Sequence, residues 1–205
     1  MRGSRSLVGA SAVLGLLVVL LAAAPASAAT TSFGAKLTHN SQPQDSKSSC
    51  HSQAPGKVPN GGVCTWVGLD SFENGSHAQA PKTGTLHHLH LVACNAGSFQ
   101  LQLVRLNSSQ HAALHHSGPT IHYAADPRTS GGNCGGVDQN DYIVQGFNIN
   151  VPVTKGDYIA VKTSALDMLH CSGDDVQLYY PALSSSTFRS KKGDAGCDLL
   201  INVSY

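Results

Sequence analysis

Leu86-His87-His88-Leu89-His90-Leu91-Val92-Ala93-Cys94-Asn95-Ala96-Gly97-Ser98-Phe99-Gln100-Leu101-Gln102-Leu103-Val104-Arg105-Leu106 is the stretch that decides the fold. Its second half alternates, with Phe99, Leu101 and Leu103 set against Gln100, Gln102 and Val104. A period of two residues is the signature of a strand. The first half divides into Leu86, His88, His90 and Val92 on one face and His87, Leu89, Leu91 and Ala93 on the other. The second set reads as the core side. Asn95-Ala96-Gly97 has the composition of a tight turn, so the two strands read as a hairpin.

Working outward, residues 64–69, 120–124, 158–162, 176–180 and 199–203 carry the same short apolar pattern. Residues 142–153 alternate through Ile143, Phe147, Ile149, Val151 and Val153. Gln145 interrupts that face beside Gly146, where a bulge would accommodate it. Turn-rich stretches separate these runs: residues 50–62, 71–84, the glycine-rich 126–140, and Thr154-Lys155-Gly156-Asp157. Residues 107–117 fit neither template. Residues 29–49 are polar and read as an N-terminal arm with one strand around 32–37. About eight strands and no amphipathic helix predict an all-β chain, an antiparallel β-sandwich with the jelly roll as first choice. An immunoglobulin-like sandwich ranks second, because the cysteine spacings do not frame Trp66 as that fold requires.

Composition agrees. Eleven of the 12 acidic residues are Asp and only Glu73 is Glu, while Gly, Ser, Thr and Asn abound. Asp, Asn, Ser and Gly serve turns and caps better than helix interiors.

The N-terminus reads as an export signal. Arg2 and Arg5 precede an apolar run over residues 7–24, which ends in Pro25-Ala26-Ser27-Ala28, a small-residue cleavage pattern. The expected division is a signal peptide over 1–28, an arm over 29–49 and a single sandwich domain over 50–205. Two of the 13 Lys and Arg residues leave with the signal. The remainder is near neutral, which argues against nucleic acid and anionic membrane as partners. No second apolar stretch is long enough to span a bilayer.

An exported chain with six cysteines predicts disulfides. Nearest-neighbour pairing gives Cys50–Cys64, Cys94–Cys134 and Cys171–Cys197. Gly132-Asn133-Cys134-Gly135-Gly136 has the outline of a nucleophile elbow but lacks the flanking strand and helix that an elbow needs.

Histidines are the chemically loaded residues. His87, His88 and His90 share one strand, and His111, His115 and His116 follow. His88 and His90 are two apart and face the same side, a way to present two imidazoles to one metal. The third ligand could come from His116, His122 or His170; the set carried forward is His88, His90 and His116. Gly84 with His88 and His90 resembles the first motif of cupin metal sites, but the glutamate of that motif is missing. Asp138 and Asp141 could offer oxygens to Ca²⁺, yet they lack EF-hand spacing, and Asp174-Asp175 fit turn chemistry. No cofactor is predicted, and Ca, Zn and Cu stay open. No G-x-S-x-G, H-E-x-x-H or phosphate-cradling loop is present. For sugar binding, the aromatic candidates are Trp66, Tyr123, Tyr179 and Tyr180.

Several runs, in order, carry a resemblance: Pro81-Lys82-Thr83-Gly84-Thr85, Gly97-Ser98-Phe99-Gln100-Leu101-Gln102, Gly118-Pro119-Thr120-Ile121, the stretch Val151-Pro152-Val153-Thr154-Lys155-Gly156-Asp157-Tyr158-Ile159-Ala160-Val161, and Met168-Leu169-His170-Cys171-Ser172. They resemble a group of secreted actinobacterial proteins over residue 29 onward. That resemblance implies a single β-sandwich domain and carries over no activity and no catalytic residues. The Cys94–Cys134 pair and the histidine cluster depart from that group's pattern. The stretch from Val151 also resembles jelly-roll domains broadly, carbohydrate-binding ones included.

The expected function is therefore a secreted, non-enzymatic binding or surface-interaction protein, with an extracellular ligand such as a glycan. The alternatives are a metal-binding protein or metalloenzyme on His88 and His90, and a hydrolase whose carboxylates the sequence does not identify.

Overall fold

The computed structural model describes residues 31–37, 43, 48–69, 77–128 and 142–205, with the backbone alone at 172–175. The signal segment, Cys134, Asp138 and Asp141 lie outside the described residues, as do the side chains of Asp174 and Asp175.

Alternating apolar residues become strands of two antiparallel sheets. The first sheet has the order β1 (Ser32–Gly34), β12 (Ile201–Ser204), β4 (Gly84–Leu91), β7 (Gln145–Val153). The second has the order β11 (Gly193–Leu199), β10 (Leu169–Tyr179), β3 (Cys64–Gly68), β8 (Tyr158–Thr163), β5 (Gly97–Leu106), β6 (Ala112–Tyr123). A two-residue pair, β2 (Ser48–Ser49) with β9 (Ala165–Leu166), and a four-residue helix α1 (Cys50–Gln53) complete the described elements. Leu86, Leu89, Leu91, Val151 and Val203 of the first sheet and Trp66, Phe99, Leu101, Leu103 and Val161 of the second are buried in one core cluster. That shared core makes the molecule a β-sandwich.

The pairing is nested. β5 pairs with β6, β4 with β7, β3 with β8 and β1 with β12. The chain is thus one long hairpin whose tip is the β5–β6 turn. Rolling that hairpin sets β12 beside β4 and β8 beside β5. The path is consistent with a jelly roll, with β10 and β11 added beyond β3. β1 falls inside the stretch read as an arm, so the sandwich begins there.

Three expectations are corrected. β4 and β5 are not a hairpin, because they lie in different sheets. Their connection is buried at Val92, Ala93 and Cys94, and the Val92 N–H donates to the Leu200 carbonyl at 3.3 Å. Such a segment crosses the sandwich edge rather than turning in water. Second, the faces of β4 change phase. The register with β7 slips between Leu86 and His88, where two residues of β7 oppose one of β4. Leu86 and Leu89 are therefore both buried and His87 is exposed. Third, β7 itself alternates without interruption through Gln145 and Gly146, so the bulge lies further along.

The outer face of the second sheet is covered by the chain between β10 and β11. Thr65 Oγ1 donates to Gln102 Oε1 (2.8 Å), Gln102 Nε2 donates to the Leu183 carbonyl (2.9 Å), and the Leu183 N–H donates to Thr65 Oγ1 (2.9 Å). This closed ring satisfies every buried polar group it uses and pins Leu183 over Val67, Val104, Ala160 and Tyr179. Gly97 stands at a close approach: a Cβ there would lie 2.3 Å from the Tyr123 hydroxyl. That leaves room for Tyr123 to stack on Phe99, centroids 5.9 Å apart.

Two expected disulfides are formed, Cys50–Cys64 and Cys171–Cys197. The first ties α1 to β3 and the second ties β10 to β11. The expected Cys94–Cys134 pair involves a residue outside the described ones. Disulfides fit an extracellular protein, and no helix among the described residues is long and apolar enough to cross a membrane.

Beyond β6, Asp126 anchors the chain. Its buried carboxylate accepts from Arg128 Nε and Nη2 (3.1 and 2.9 Å) and from the N–H groups of Arg128 and Ile143 (3.0 Å each). Burial pushes this carboxyl up, but the Arg128 and backbone hydrogen bonds outweigh it and hold the group below its ordinary value. A depressed folded pKa contributes stability above the unfolded pKa of about 3.9, and the contribution disappears as pH falls through the folded value. Asp126→Asn should therefore be less stable at neutral pH, with a shallower loss between about pH 4 and pH 2. Urea unfolding across that range checks it; an acid limb as steep as the parent's would refute the role.

Candidate functional site

Three of the four aromatic residues expected to meet a sugar are buried. Trp66 and Tyr179 are 0% exposed and Tyr123 is 5% exposed. The Tyr123 hydroxyl donates to Asp167 Oδ1 at 3.1 Å. Burial, then the Asp167 carboxylate, pushes that phenol far up. The Tyr179 hydroxyl lies 2.7 Å from both the Gln110 carbonyl and Gln177 Oε1. Tyr180 is half-buried and packs against the core. Trp66 and Tyr123 face the sandwich core, while Tyr179 faces outward and is buried beneath Leu183.

The expected metal set also comes apart. His88 and His90 stand on the outer face of β4, ring centroids 6.5 Å apart. His88 Nδ1 lies 3.2 Å from Asn148 Oδ1, so the imidazole donates there. His116 is on β6, in the other sheet. Among the described residues, the one set of three metal-capable side chains is His115, His116 and Asp157, one ligand atom of each lying within 4.8 Å of the others.

That cluster is made by a bulge. β5 pairs Leu103 with His116 and Val104 with Leu114, leaving His115 as the extra residue on β6. In a regular strand, adjacent side chains point to opposite faces. The bulge brings the two rings together, centroids 4.0 Å apart. Asp157 comes from the β7–β8 turn, where its Oδ2 accepts from the Thr154 N–H (2.8 Å). Its carboxylate, 0% exposed, also accepts from Arg105 Nε (3.3 Å) and lies 2.9 and 3.0 Å from His115 Nδ1. Burial foremost, then His115, pulls the His116 pKa down; Arg105 adds to the shift and Asp157 opposes it.

Directly after His116, β6 carries a second bulge. Gln100 pairs with Thr120 and Gln102 with Ser117, so Gly118 and Pro119 together oppose Leu101. A Cβ on Gly118 would lie 3.1 Å from both Leu101 and Val151. The glycine lets β6 close onto β7 at the edge of the sandwich. There Ser117, Gly118, Pro119, Asn148, Ile149 and Asn150 line an open groove of about 540 Å³. Asn148 and Asn150 point outward because Ile149 and Val151 point inward. The groove is not legible in the sequence because the bulges break the period of β6 there; Asn148 and Asn150, two apart on a clear strand, are its available signal. Comparison with protein-family models, curated proteins and solved structures finds no match.

Proposed function

We propose that the chain acts outside the cytoplasm as a non-catalytic binding module, and that the β6–β7 groove takes a hydroxyl-rich ligand of the glycan class. The export signal in the sequence and the disulfides support the location. The observation that carries the ligand class is the amide pair: Asn148 and Asn150 stand side by side on an open groove. Each amide offers an acceptor and two donors, which suits adjacent sugar hydroxyls. His88 orients Asn148 from behind through its Oδ1. None of the described lining residues is aromatic, so affinity should be modest, roughly millimolar or about −4 kcal/mol.

A glycan array with the purified protein, followed by titration of the best hit, tests this. Asn148→Ala with Asn150→Ala should weaken that hit at least about tenfold, the effect of losing one or two hydrogen bonds. Both side chains are exposed, so thermal unfolding should be nearly unchanged. Binding that survives the double substitution would remove the groove from consideration.

A further inference from the structure

We propose that His115 and His116 form a surface site for a divalent transition-metal ion that prefers imidazole, Zn²⁺ or Cu²⁺, with Asp157 as the carboxylate that orients His115. This does not depend on the glycan reading.

The argument starts from hydrogen-bond bookkeeping at Asp157. An ionised carboxylate only accepts, so the proton of the His115–Asp157 contact sits on Nδ1 of the imidazole. In the neutral imidazole the other ring nitrogen, Nε2, carries the lone pair that a metal ion would take, in place of a proton. A ligating histidine is commonly arranged this way, one nitrogen donating to a carboxylate and the other turned to the metal. Asp157 serves better as orienter than as ligand. It is fully buried, and its oxygens already accept from Thr154 and Arg105.

The second ligand is the neighbouring ring of His116, brought alongside by the bulge. Both histidines are partly exposed, so water can complete the coordination sphere. Arg105 balances the charge of Asp157, so the site offers imidazole nitrogen rather than negative oxygen. Ca²⁺ and Mg²⁺ require the latter, whereas Zn²⁺ and Cu²⁺ accept the former. The site lies next to Ser117, at one end of the groove lining on β6.

Isothermal titration of the metal-free protein with ZnCl₂, and separately with CuCl₂, tests the proposal. One ion per chain is expected. His115→Ala and His116→Ala should each abolish saturable binding, while His88→Ala with His90→Ala should leave it intact. Asp157→Asn should weaken binding by about 10–100-fold. Because that variant also disturbs a turn, the two partly exposed histidines carry the decision. The Cu²⁺ electron paramagnetic resonance spectrum should show nitrogen coupling that disappears in His116→Ala. Absence of stoichiometric binding, or binding that persists in both histidine variants, or binding that vanishes with His88 and His90, would overturn the assignment.

Discussion

Trp66→Ala is expected to lower unfolding free energy by about 3–5 kcal/mol, against about 5–15 kcal/mol for a typical domain. The indole is completely buried, flanked across the sheet by Val161 and Leu178, with its Nε1–H directed at the Thr163 carbonyl at 3.4 Å. Its removal leaves a cavity that a close-packed sandwich cannot fill. The result separates two roles for this ring. A tryptophan that stacks on a sugar loses binding when truncated and keeps the fold. A tryptophan in the core does the reverse. Trp66→Phe, which retains most of the volume, should stay folded and bind any groove ligand as the parent does. Urea unfolding and ligand titration on that pair decide it; loss of binding by a folded Trp66→Phe would return Trp66 to the surface.

The second large effect is a contrast between neighbours. Leu86→Ala should cost about 2–5 kcal/mol, while His87→Ala should stay within about 0.5 kcal/mol. Simple alternation along β4 puts His87 with Leu89 in the core and Leu86 outside. The slipped register with β7 reverses that for these two residues: Leu86 is buried and His87 exposed. Urea midpoints for the two variants discriminate, and a larger loss for His87→Ala would contradict the slip.

The same irregularity explains what could be read in advance and what could not. β5 and β7 were legible because Phe99, Leu101 and Leu103, and Ile149, Val151 and Val153, alternate cleanly and end up buried. Only the end of β6, within residues 120–124, is legible, because its middle contains two bulges, at His115 and at Gly118-Pro119. Each inserts a residue and destroys the period on which the reading rests. The sheet partner of β5 is not legible, because a short turn shows that the chain reverses without showing which sheet receives it. Asp157 was recognised as a turn residue, and its Thr154 N–H contact bears that out. Its hold on His115 depends on long-range packing that no local pattern encodes. His115 and His116 stand in the stretch 107–117, which fits neither template, so no local pattern shows that their rings meet.

The nested hairpin also has a consequence in time. Ser32 pairs with Ser204, and Asn202, of the same strand, pairs with His90. At about 5–20 residues per second, β1 leaves the ribosome roughly 10–30 s before β12. Until then, β1 and β4 both present open edges, since β12 is the strand that fits between them. Assembly should start at the β5–β6 tip, where loop closure costs least, and spread toward the outermost pair. The protein is thus exposed to edge-to-edge aggregation for most of its synthesis, and a holding chaperone or an unfolded export route would matter most in that interval.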